Sequence, residues 1–236
     1  MKRLILFLIL NISFSIYGET KKMQFFGTAT DLDSGKILYY DHHEEFWENG
    51  EHSYSKIQYK DPQGKVFAKK KIIFSKNKMI PDFQLDDLRV GYLEGGTLLK
   101  AGSAKLFARR SSEKPLEEKT IAFSEPASMD GGFDYFIRAY WDSLIEGKTI
   151  RFRFLVPVER DTFAFSVSKT KTGEYKGKPA LFLRMKIDNA LLSVFVKPID
   201  MVYDIESKRI MEYRGTSNIN NDQGKSLTVK IVYDFR

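Results

Sequence analysis

The chain has 236 residues, of which 42% are hydrophobic and 14% aromatic, with a formal charge of +7 and no cysteine. That apolar share can fill a large core and excludes wholesale disorder. The missing thiols exclude disulfide staples, thiol catalysis, thiolate metal sites and a thioether-linked lipid anchor.

Met1, Lys2 and Arg3 form a basic start to an apolar run over 4–16, interrupted only by Asn11, Ser13 and Ser15. The run is too short to cross a bilayer, and Glu19, Thr20, Lys21 and Lys22 turn polar directly after Gly18, which is the pattern of a secretion leader. Residues 1–18 are therefore expected to be a signal peptide, with Ser15 the second choice of cleavage site. The destination is the periplasm or, second, the extracellular space. Loss of Lys2 and Arg3 with the leader leaves +5, spread along 19–236. Outside the cytoplasm such a charge favours an anionic membrane surface or acidic glycans, and no nucleic acid partner is expected. The remaining roughly 218 residues suit one β sandwich or barrel domain.

Gly35-Lys36, Gly64-Lys65, Gly177-Lys178 and Gly224-Lys225 each follow polar turn residues and precede a strand-like run. Glycine supplies the positive φ of a tight hairpin, so 31–35, 61–64 and 220–224 read as hairpin ends in an antiparallel meander. All three histidines, His42, His43 and His52, lie after the first of these turns, beside Asp41, Glu44 and Glu45. A helical zinc motif would need a histidine four places after His43, where Trp47 stands. On a strand His42 and His43 face opposite ways, which leaves a His42–His52 pairing across a turn at Asn49-Gly50 as the metal-binding geometry. A polar strand end with no metal is the expectation. Asp31, Asp33 and Gly35 open like a calcium loop, but His42 occupies the twelfth place where a glutamate is needed. Two of Lys69, Lys70 and Lys71 are expected on a solvated strand face.

Between 79 and 128 the glycines Gly91, Gly95, Gly96 and Gly102 interrupt short apolar pieces, and 113–119 around Pro115 reads as an exposed loop, the part expected to move most. A helix over 130–146 follows from Phe133, Phe136, Ile137, Tyr140, Trp141, Leu144 and Ile145, spaced as one apolar stripe. Asp134, Arg138 and Asp142 lie opposite, Ser128 or Asp130 can cap the start, and Gly147 can end it. The stripe needs an apolar partner, which in this chain is the inner face of the sheet.

Alternating runs over 151–158, 162–168, 181–187 and 227–235 read as strands with one buried face, and the last is expected to end the sheet. The fold class is mainly β (α+β): an antiparallel meander forming a curved sheet or incomplete barrel, with one amphipathic helix on its inner face. Gly215-Thr216-Ser217-Asn218-Ile219 matches half of a nucleophile elbow, and no histidine follows His52 to serve it. Glu117-Glu118 has no partner carboxylate, no phosphate loop is present, and neither a catalytic residue nor a cofactor is assigned. What stands out is the aromatic and aliphatic surplus. Tyr140, Trp141, Phe152, Phe154, Phe163, Phe165, Leu181 and Leu183 either fill a core or line an apolar cavity for a lipid or acyl chain.

The order of leader, hairpin meander, amphipathic helix and Gly147-Lys148 before long strands, with Lys197-Pro198-Ile199, Tyr203-Asp204 and Tyr213-Arg214-Gly215, resembles the periplasmic half-barrels of the lipoprotein-localisation carrier type and related uncharacterised periplasmic β proteins. The resemblance covers 147–235 and transfers no functional residue. It implies an incomplete barrel without cofactor that binds an apolar ligand or an envelope protein. The leading expectation is thus a non-catalytic exported protein that binds a lipid or acyl chain or assists envelope assembly. The alternatives are a structural or protein-binding envelope module, and an envelope hydrolase or metal enzyme built on the histidine region.

Overall fold

The computed structural model describes residues 20–189, 191–194 and 196–235, so the expected leader lies outside the described residues. Fifteen strands follow one another as β1 (Thr20–Asp31), β2 (Ile37–Glu48), β3 (Glu51–Lys60), β4 (Val66–Ile73), β5 (Asp82–Asp87), β6 (Tyr92–Lys100), β7 (Ser103–Arg109), β8 (Glu117–Ala122) and β9 (Ala127–Met129), then β10 (Ile150–Val156), β11 (Asp161–Tyr175), β12 (Lys178–Ile187), β13 (Ile199–Asp204), β14 (Ile210–Asn220) and β15 (Ser226–Asp234). Two short helices, α1 (Phe133–Ala139) and α2 (Trp141–Ile145), separate β9 from β10. All strands join one sheet in the order 8-7-6-5-4-3-2-1-15-14-13-12-11-10-9. Every pair is antiparallel except β9 with β10. Among the described residues no helix is long and apolar enough to cross a membrane.

The expected hairpins form, with Gly35, Gly64 and Gly224 at the positive φ expected of them, and side chains add to the turns. Asp31 Oδ1 accepts the Ser34 N–H at 2.8 Å, Asp61 Oδ1 accepts the Lys65 N–H at 2.9 Å, and Asn221 Oδ1 accepts the Lys225 N–H at 3.0 Å. The final strand is placed differently from the expectation. β15 does not end the sheet but sits at its middle, paired on one side with β14 and on the other with β1. Periodicity identifies a strand and its buried face, and carries no information about which strand it pairs with.

The segment 79–128 holds β5 to β8 and the start of β9; the exposed loop expected over 113–119 is present up to Leu116, and Glu117 begins β8. The misleading signal was glycine. A Cβ on Gly95 would lie 2.3 Å from the Phe83 carbonyl oxygen, and one on Gly96 would lie 2.5 Å from Met129 Sδ. Both glycines mark close approach inside a strand, the second role glycine has in sheets.

The helix is broken at Tyr140 into two short pieces, and its start at Gly132 has no side-chain cap. Asp130, expected as a cap, instead accepts from Lys70 Nζ at 2.5 Å and from Asn218 Nδ2 at 2.7 Å. Ser128 donates to the Met79 carbonyl oxygen at 3.1 Å. Gly147 ends α2 at φ +90°, its N–H bonded to the Leu144 carbonyl, as expected. The buried stripe of Phe136, Ile137, Trp141 and Leu144 packs on Phe152, Val167, Leu181, Leu183, Met201 and Tyr203, so the helix rests on the inner face of β10 to β13.

A second core cluster joins the inner residues of β2 to β7 with Ala127, Met129 and Leu155 from β9 and β10. The β9–β10 end of the sheet therefore curls round until it packs against β6 and β7. No ladder joins β8 to β9 or β10. Side chains cross that seam instead: Arg110 to Glu159 at 3.1 Å, Arg160 to Glu117 at 2.6 Å and Lys119 to Asp161 at 3.9 Å. The sheet is curved and barrel-like, and it is open.

The connectivity gives this shape two distinct ends. The β1–β2, β3–β4, β5–β6, β7–β8, β10–β11, β12–β13 and β14–β15 connections share one end, called here the hairpin end. The β2–β3, β4–β5, β6–β7, β11–β12 and β13–β14 turns share the other, the helix end. Tyr135 of α1 bonds His52 there at 2.8 Å, and Arg138 reaches the Lys208 carbonyl at 3.3 Å.

Candidate functional site

Seven of the eight apolar candidates come together, Tyr140 and Trp141 on the helical segment and the others beneath it. Trp141, Phe152, Leu181 and Leu183 are buried in its packing cluster, with Phe152 4.4 Å from Phe136 and Trp141 6.0 Å from Tyr203, centroid to centroid. Tyr140, Phe154 and Phe165 pack at its margin, and Phe163 stands opposite Phe154 in the ladder. The helix stripe itself occupies the concave surface they face. Phe152 and Phe165 also border an outer groove of about 220 Å³ with Arg151, Arg153 and Asp188.

The three histidines do not converge. In the β2–β3 ladder His42 stands opposite Gln58 and His52 opposite Trp47, so the cross-hairpin pairing that a metal would need does not form. A register shift between Phe46 and Trp47 separates them further. His42 lies beside Lys60 at 3.2 Å, while His43 stacks on Phe25 at 4.2 Å. Among the described residues no group of three His, Asp or Glu is placed to hold a metal ion. His52 pairs with Ser55 Oγ at 2.9 Å and with the Tyr135 hydroxyl at 2.8 Å. Burial pushes its pKa down to about 4, and the rings of Trp47 and Phe74 cover it. This pair has the atoms of a base and a hydroxyl but no access for a substrate.

A larger depression than that outer groove lies at the helix end, where β1 begins and β15 ends. It is a groove of about 530 Å³ lined by Lys22, Met23, Gln24, Arg209 and Phe235. Three consecutive residues at the start of β1 form its wall, and the β13–β14 connection carries Arg209 across to it. The Arg209 guanidinium lies 4.8 Å over the Phe235 ring and reaches Glu45 at 3.6 Å. Lys22 pairs with Glu44, which also accepts from Gln24 at 2.9 Å; the Lys22 bond holds the Glu44 carboxyl below its usual range.

Behind the groove an aromatic column runs inward. Phe235 stacks on Phe25 at 4.6 Å, and Phe25 stacks on His43. Beyond it Asp41 is buried, its Oδ2 3.4 Å from His43 Nε2. Asp41 Oδ1 and His43 Nε2 are buried without a hydrogen-bond partner. The carboxylate lies over Gly27, where a Cβ would fall 1.8 Å from Oδ1, so this position needs glycine. The arrangement offers cations and apolar surface at its mouth, an aromatic wall, and a carboxylate that lacks a donor at its inner end. Chemically it can hold an amphiphile. Sequence reasoning missed all five lining residues. The available signal was the run Asp41, His43, Glu45 on one face of β2 together with Tyr233 and Phe235 at the end of the chain's last strand-like run.

A second polar group lies deeper in the interior. Glu94 of β6 is buried beside Tyr92, Asp130 and Lys70, and burial, aided by the Asp130 charge, pushes its pKa up to about 7.

No family model and no curated protein matches the sequence. Among solved structures the chain is similar to a β-barrel-like protein of a domain of unknown function, DUF1849, from Brucella abortus. The likeness has a TM-score of 0.52 at 10% identity and covers 91% of this chain and 97% of that one. It supports the expected curved, barrel-like sheet. It is a likeness of fold, to a family of unknown function and not to a lipoprotein carrier.

Proposed function

We propose that this protein is an exported, periplasmic, non-catalytic binding protein of the cell envelope, and that it holds an amphiphile with an apolar chain in the groove at the helix end. The observation that carries this reading is the lining itself: Met23 and Phe235 on the Phe25 column, with Arg209 and Lys22 at the rim. The volume falls in the range of about 300–1,000 Å³ usual for small-molecule sites. The Arg209–Glu45 contact is 3.6 Å, longer than a well-formed charge-assisted bond, so Arg209 is free to take a closer anionic partner. The residues under the helix act in this reading as the packed floor that fixes the mouth.

Native mass spectrometry of the protein purified from its own cells, followed by organic extraction, tests it. The expected result is a discrete lipid-sized adduct that is lost or reduced in Phe235→Ala and Arg209→Glu. An adduct unchanged by both substitutions would place the ligand elsewhere. A clean ligand-free mass would favour a protein-binding envelope module, the reading supported by an interior already filled by the chain's own helix.

A further inference from the structure

Eight large apolar side chains are well exposed among the described residues, and seven of them lie at the hairpin end: Leu32 and Ile37, Leu88, Leu116, then Leu191, Val194 and Val196; Leu99 alone is at the helix end. The two most exposed, Leu191 at 82% and Val194 at 79%, sit in the connection 188–198. That connection is the longest between any two adjacent antiparallel strands of the sheet. Its turn is built to present them. Asn189 Oδ1 accepts the Leu191 N–H at 3.0 Å, and the Asn189 carbonyl accepts the Ser193 N–H at 2.9 Å.

Charge at the same end is sorted. Glu159 is paired with Arg110, Asp222 with Arg89 and Asp188 with Arg151, and Asp61 is held by the backbone of its own turn. Lys36, Lys65, Lys114, Lys197 and Lys225 are exposed in these loops, and among the described residues none of them takes part in an ion pair within 4.0 Å. Asp33, Asp61 and Glu113 are the carboxylates without an ion pair that oppose them among the described loop residues. Apolar tips interleaved with free lysines on one end of a molecule match the interface of an anionic bilayer, where apolar groups enter the headgroup boundary and lysines meet phosphates.

We propose that the hairpin end docks on an anionic lipid bilayer, with Leu191 and Val194 as the inserting tips and the loop lysines as the headgroup contacts. The docking surface lies opposite the groove at Lys22, Arg209 and Phe235, and it does not depend on what that groove holds.

Co-sedimentation tests this with the purified protein and vesicles of equal parts phosphatidylglycerol and phosphatidylcholine, against vesicles of phosphatidylcholine alone. The wild type is expected to partition onto the anionic vesicles preferentially. Leu191→Asp with Val194→Asp should weaken partitioning roughly tenfold or more. Lys197→Glu with Lys225→Glu should remove the preference for anionic lipid, and Leu99→Asp should change nothing. All these positions are exposed, and an unchanged circular dichroism spectrum checks that each variant is folded. Any contribution of the N-terminal apolar run is common to every variant and drops out of the comparison. Absence of wild-type partitioning, or partitioning that ignores the 191/194 pair, would overturn the proposal. So would a dimer in solution that the 191/194 pair dissociates without any vesicle binding, since the tips would then face a second copy.

Discussion

Glu94 is buried beside Tyr92 and within the field of Asp130, and its carboxyl has a pKa pushed from 4.5 to about 7. Folding therefore favours the protonated form. The contribution is fully present below the unfolded value and is lost as pH rises through about 7, because unfolding then releases a proton. A shift of this size corresponds to about 3 kcal/mol between the two limits. Glu94→Gln keeps a neutral partner for Tyr92 and should erase the decline. In urea unfolding, the variant's stability advantage over wild type should grow between about pH 5 and pH 8. A constant difference across that range would show that Glu94 is already ionised in the folded protein. His52 acts in the opposite direction, with its value lowered to about 4, so its contribution is present above 6.5 and lost as pH falls through 4. The Glu94 comparison isolates one group from the other. None of this was legible in the sequence. Glu94 stands next to Gly95-Gly96 in a segment without clear alternation, and Asp130 reads as a helix cap until Lys70 and Asn218 are brought to it from β4 and β14.

At the scale of elements, the helix pair is where local pattern and tertiary structure agree best. The spacing of Phe136, Ile137, Trp141 and Leu144 gave the buried face, and Gly147 gave the end, because both signals are local. The break at Tyr140 was not visible: a continuous stripe does not say that the chain must bend to follow a concave sheet. Phe136 is fully buried and touches Phe133, Tyr140 and Phe152. Phe136→Ala should cost about 3–5 kcal/mol, since a cavity opens where helix and sheet are both fixed. Chemical denaturation measures it. A loss below about 1 kcal/mol would mean that the helix adjusts easily, and the residues beneath it would regain their claim to a ligand. Hairpins were equally legible from Asp31, Asp61 and Asn221, whose side chains close their own turns. The strands β5 to β8 were hidden because Gly95 and Gly96 are needed for contact with Phe83 and Met129, neighbours that only the folded sheet supplies.

For the whole molecule, the sheet order has a consequence for how stability is distributed. β1 and β15, near the two ends of the described chain, are partners at the centre of the sheet, while β8 and β9, adjacent in sequence, are its two edges. Closure between those edges comes from packing of Met129, Leu155 and Val158 on the β6–β7 face and from surface ion pairs. Exposed pairs of that kind are each worth about 1 kcal/mol or less, so Arg160→Ala should change stability little. β8 pairs only with β7 and carries mostly exposed side chains, Ile121 excepted. Local opening should therefore begin there. Hydrogen exchange is expected to find the least protected strand amides in β8 and the most protected in β1 and β15. Equal protection of β8 and β1 would require a second ladder on the β8 edge and hence a closed barrel. The expected gradient would instead establish an open scroll whose seam can part while its centre, which carries the groove at Lys22 and Phe235, stays intact.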